Sequence, residues 1–123
     1  MKKTTAIFAA LLGAVVLLAG NPASAADVEK VYNFYCAQCH GTAGKGKGPN
    51  VTKDFPVSPR DFTNALEMNK LTDADMKNVI LDGGPAASKS PMMPPWNKTL
   101  KGDDVDALVG YLRKFCGCKG KQG

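Results

Sequence analysis

Apolar side chains recur at helical spacing in three separate stretches of the chain. Val28, Val31, Tyr32 and Tyr35 fall at i, i+3, i+4 and i+7 behind Asp27, a residue type suited to an N-cap. Met76, Val79 and Ile80 repeat the spacing between Thr72, which forms a capping box with Asp75, and the stop signal Gly83-Gly84-Pro85. Val105, Leu108, Val109 and Leu112, with Phe115 beyond, make the third apolar face. Asp103, Asp104 and Asp106 stand in its first turn and Arg113 and Lys114 in its last, both favourable to the helix dipole. The pattern predicts helices starting near Asp27, over about Asp73 to Leu81, and from near Gly102-Asp103 onwards. The expected fold class is all-α, three or four helices joined by long loops, in one domain without repeats.

The start of the chain follows a different pattern. "MKK" leads into an apolar run from Ala6 to Gly20 and then "NPASA", with small residues at Ala23 and Ala25. This is the layout of a secretory signal peptide over residues 1–25, cleaved after Ala25, which implies export to the periplasm. The competing reading is an uncleaved anchor, but spanning a bilayer needs about 20 apolar residues. Removing 25 of the 123 residues leaves 98, residues 26–123. That is one small domain with a thin core, which a buried cofactor would help. The remaining 14 basic and 11 acidic residues give +3. That is too little for nucleic-acid binding and enough for a face towards acidic partners.

Chemistry concentrates at "CAQCH", residues 36–40. C-x-x-C-H is the attachment signature of haem c. Two thiols three residues apart lie on one face of a helical turn and can add to the two vinyl groups of one haem, while His40 is aimed at the iron. A structural zinc on Cys36, Cys39, Cys116 and Cys118 is the sharpest rival, but Cys-x-Cys is an unusual zinc half-site. His40 is the only histidine, so one chain holds one haem and cannot supply a second histidine ligand. Methionine is the usual soft partner. Four remain after cleavage: Met68, Met76, Met92 and Met93. Met76 belongs to an apolar helix face and Met68 reads as packing. Met92 and Met93 lie in "SPMMPPW", where Pro91, Pro94 and Pro95 hold the backbone stiff. Neighbouring side chains in an extended segment point opposite ways, so one of the pair can face the iron.

From about Val28 to Phe115 the sequence resembles the class I c-type cytochromes, above all small mono-haem bacterial members. "YNFYCAQCHG", "GKGKGPN", "SPRDFTN", "SPMMPPW" and "VDALVGYLRKF" carry the likeness. The resemblance implies a cytochrome c fold around one covalent haem and, from the methionine preceding proline, Met93 as the axial ligand with His40. It implies that the Pro49 carbonyl accepts a hydrogen bond from the free ring nitrogen of His40. It places Tyr32 at the crossing of the first and last helices. Where the family often has glycine, this chain has Val28, which implies a wider or shifted crossing. Phe55 and Phe62 are expected to wrap the haem, and Trp96 to pack on it or in the core.

The function expected is a periplasmic one-electron carrier, not an enzyme, serving redox partners of a respiratory chain. Lys45, Lys47, Lys89 and Lys98 are candidates for a basic ring steering acidic docking surfaces; the chain is expected to be monomeric. The alternative is a haem enzyme or gas sensor with a labile sixth ligand, for which no distal acid–base group stands out. "FCGCKGKQG" departs from the family pattern. A Cys116–Cys118 bridge within a flexible basic tail over residues 116–123 is expected there.

Overall fold

The computed structural model describes residues 25–122; the signal-peptide reading falls, apart from Ala25, outside the described residues. Among these residues every regular element is helical. The first helix begins as α1 (Ala25–Val31), widens into one π turn (Tyr32–Cys36) and closes as α2 (Ala37–His40). After a long loop come α3 (Ala65–Met68) and α4 (Asp73–Asp82). A 3₁₀ turn (Gly84–Ala87) and a second loop lead to α5 (Gly102–Cys116). The three patterned stretches are therefore helices. The capping box on α4 forms as read: Thr72 Oγ1 accepts from the Asp75 amide at 3.0 Å and Asp75 accepts from the Thr72 amide at 2.8 Å. Asp27 lies in the first turn of α1, since that helix already starts at Ala25.

The first helix packs across α5, with α4 against the same helix. Tyr32, fully buried, lies at the crossing, its ring 5.2 Å from Tyr111 and 5.3 Å from Phe115. Its hydroxyl donates to the Gly41 carbonyl at 2.7 Å, which ties the crossing to the end of α2. Val28 is buried nearby, beside a gap of about 30 Å³ between Val31 and Ala107.

Arg113 was expected to be a dipole-favourable charge at the end of α5; it is a buried hub, 9% exposed. One guanidinium nitrogen donates to the Met68 carbonyl at 2.7 Å and another to the Leu71 carbonyl at 2.8 Å. The side chain also grips Asp73 at 2.9 and 3.0 Å. It adds charged donors to carbonyls at the turn between α3 and α4, which also accept from the Leu71 and Lys121 amides.

The expected Cys116–Cys118 bridge forms, Gly117 turns left-handed (φ 59°), and the chain folds back. The Gly120 amide donates to Asn69 Oδ1 at 3.1 Å and the Lys121 amide to the Leu71 carbonyl at 3.0 Å. The Asn69 side chain and the Leu71 carbonyl on the α3–α4 turn thus hold the basic end of the chain.

Arg113→Ala is expected to lower stability by about 2–3 kcal/mol, because it removes the charged hydrogen bonds that tie α5 to Met68, Leu71 and Asp73. Arg113→Lys should recover only part, lacking the planar fork. Denaturant midpoints of the two variants check this.

Candidate cofactor site

The end of α2 is sealed by the glycine-rich loop that follows it. The carbonyls of Ala37, Gln38, Cys39 and His40 accept from the amides of Gly41, Asn50, Gly48 and Gly46, all at 2.8–2.9 Å. All four orphan acceptors of that helix end are thus satisfied. Gly48 is needed because a Cβ there would run into the Gln38 carbonyl. Gly46 (φ +71°) is needed twice, for its left-handed backbone and because a Cβ would strike the Pro59 carbonyl. This close approach lets segment 59–62 lie against His40.

The consequence corrects a residue assignment. The His40 Nδ1 faces the carbonyl of Arg60 at 3.2 Å, not that of Pro49. The loop spends its amides on the α2 carbonyls and carries Pro49 out to an exposed position. The Phe62 ring stacks on the imidazole, 4.5 Å between centroids and 20° between planes. Burial, set against the hydrogen bond to Arg60, holds the His40 pKa below its ordinary value, so the ring is neutral at pH 7. An Nδ1–H donated to Arg60 leaves Nε2 with its lone pair free for a metal. Arg60 and Phe62 were not singled out as histidine partners. "SPRDFTN" carries part of the family likeness, and Phe62 is expected at the haem, but nothing in that loop marks either residue as a partner of His40.

A single cavity of about 910 Å³ brings the predicted residues together. Cys36, Cys39, His40, Met92, Met93 and Trp96 all line it. Both thiols are free, and burial, then its neighbour Cys39, pushes the Cys36 pKa up to about 11. Met68 and Met76 are buried, as expected of packing residues, and their side chains form part of the wall. Met92 is 48% exposed, whereas Met93 is half-buried. The Met93 backbone is pinned: its carbonyl accepts from Gly84 at 2.9 Å and its amide donates to Ser90 at 3.2 Å. Trp96 is held by amide bonds to Ile80 and Leu81 and packs on Tyr35 at 5.1 Å. Exposed Phe34 and Val57 also stand on the lining. Of the four lysines expected to ring the site, Lys89 lines the cavity, while Lys45, Lys47 and Lys98 are exposed elsewhere.

Residues 23–112 match the family model for cytochrome c oxidase, cbb3-type, subunit III. The chain belongs to that family and is a c-type cytochrome. Among solved structures it is similar to the KustC0563 c-type cytochrome, at 29% identity and TM-score 0.56, covering 71% of this chain and 94% of that one. It is also similar to a chain of the Kuenenia stuttgartiensis reducing HAO-like protein complex Kustc0457/Kustc0458. There the identity is 31% and the TM-score 0.57, over 72% of this chain and 40% of that one. No curated protein matches the cytochrome. The fold is the all-α cytochrome c fold, the function is haem-based electron transfer, and the cofactor is covalent haem c.

The residues present fit that group. The cavity is at the upper end of the roughly 300–1,000 Å³ of small-molecule pockets. Its wall offers two free thiols, a neutral imidazole and a thioether among apolar side chains. The rival zinc reading does not fit, since Cys116 and Cys118 are bonded to each other at the end of α5.

Gly46→Ala is expected to break the His40–Arg60 contact. Left-handed backbone alone costs an alanine about 1–2 kcal/mol, and the Pro59 carbonyl must also move. Nitrogen-15 NMR of the imidazole reads the outcome: the protonated Nδ1 signal of the native protein should broaden or vanish through exchange.

Proposed function

We propose that this cytochrome is a periplasmic one-electron carrier holding a single haem, thioether-linked through Cys36 and Cys39, with His40 and Met93 as axial ligands. The reading is carried by the neutral, Arg60-oriented His40 lining the same cavity as both thiols and the pinned, half-buried Met93. When bound, the haem supplies a ferric/ferrous couple that moves one electron. The chain's own work is to hold that group still. The α2 cap and Phe62 fix the imidazole, and the Arg60 carbonyl makes it a stronger donor. Pro94 and Pro95 brace the backbone after Met93, and the Gly84 amide holds its carbonyl. A thioether ligand raises the potential relative to a second imidazole. With the ligand set rigid, electron transfer needs little rearrangement.

The carrier meets its redox partners as a monomer, through the surface around the cavity mouth. Lys89 on the cavity lining favours partners with acidic docking faces. One similar structure comes from a complex of HAO-like proteins, which supports protein partners for this chain too. Export under the residue 1–25 signal peptide completes the reading, since an oxidising compartment suits the Cys116–Cys118 bridge.

Three sets of measurements test this. Intact mass and the pyridine haemochrome spectrum should show one haem with both vinyl groups saturated, and one unsaturated vinyl in Cys36→Ala or Cys39→Ala. Carbon monoxide should bind the native ferrous protein slowly and Met93→Ala rapidly, with Met92→Ala behaving like native. Rapid binding to the native protein would favour an enzyme or sensor instead. Transfer rates to an acidic partner should fall as salt rises; a rate indifferent to salt removes the lysine steering.

A further inference from the structure

We propose that Cys116–Cys118 is a thiol-reducible latch, whose opening by a dithiol frees the C-terminal segment from the wall of the haem cavity. The bridge spans a single residue, Gly117. Closing so short a loop constrains the unfolded chain far less than a bridge across a domain. Its effect is therefore local, and the structure shows what lies within reach. Gly117 reverses the chain, and the Cys118 amide donates to the Arg113 carbonyl at 3.3 Å. Two residues on, Gly120 lies against the Arg113 guanidinium so closely that a Cβ there would collide with it. The next amides dock on Asn69 and Leu71.

Arg113 is the link to the cavity. Its guanidinium holds the carbonyls of Met68 and Leu71, and both of these residues line the cavity. With the segment in place Arg113 is buried. With it lifted, water reaches the guanidinium and competes for those carbonyls. Both cysteines are only partly buried, so a thiolate can approach the bridge. The step balances. A dithiol's thiolate attacks one bridge sulfur to give a mixed disulfide, and its second thiol displaces that bond. The dithiol leaves as its own disulfide, and two electrons and two protons remain on Cys116 and Cys118 as thiols.

The test uses the full haem-loaded protein, with the ascorbate-reduced form as baseline, so that the iron is ferrous throughout and only the bridge differs. Dithiothreitol followed by iodoacetamide should place one label on each of Cys116 and Cys118. Hydrogen exchange at the Gly120 and Lys121 amides should then accelerate about tenfold or more, as expected for loss of a hydrogen bond and its neighbours, with faster exchange across residues 69–73. Gly120→Ala, with the bridge closed, should show the same acceleration through its collision with Arg113. A bridge that stays closed in excess dithiothreitol overturns the proposal. So does a bridge that opens with exchange unchanged, or Gly120→Ala exchanging at the native rate.

Discussion

The structure depends on an apolar cavity that the chain cannot close by itself. Met68, Met76, Ile80, Trp96 and Leu112 present side chains to a space of about 910 Å³. In a domain this small that is a large part of the possible core. Burial that would otherwise come from side chains meeting each other is left to a covalent prosthetic group. Each helix is then best understood by what it holds at the cavity. The first helix delivers two thiols and the imidazole, and α4 anchors the methionine loop through its last carbonyls. The last helix, α5, closes the far side of the first through Tyr32, Tyr111 and Phe115.

The histidine is positioned by backbone more than by side chains. Four amides of one loop neutralise the four carbonyls at the end of α2, and two glycines allow the chains to touch where any side chain would intervene. That packing decides which carbonyl orients His40. Rigidity at the site comes from hydrogen-bonded turns, with Arg113 adding charged donors to two carbonyls of the α3–α4 turn.

Much of this was legible in the sequence. Helical spacing located α1, α4 and α5, and the Thr72–Asp75 box fixed the start of α4 to the residue. The "CAQCH" motif and the proline-braced methionines pointed to residues that share one cavity. What stayed hidden was long-range. Pro49 was assigned to His40 by family position, but the partner, Arg60, lies 20 residues along the chain from His40 and becomes adjacent only through the Gly46 contact. Arg113 reads as a dipole-favourable charge in the last turn, though its spacing from Val105 and Val109 puts it on the apolar face of α5. The tail's docking sites on Asn69 and Leu71 are backbone and amide contacts, which leave no trace in composition. The π turn at Tyr32–Cys36 likewise breaks the 3.6-residue period on which the pattern reading rests.

The central claim is that His40 and Met93 together hold the iron. The most direct measurement is the proton NMR spectrum of the ferrous protein with carbon-13-labelled methionine methyls. A methionine bound to low-spin ferrous haem has its methyl carried far upfield by the ring current. One such resonance is predicted in the native protein, present in Met92→Leu and absent from Met93→Leu. A native spectrum without it, or a resonance lost in Met92→Leu and retained in Met93→Leu, would contradict the assignment.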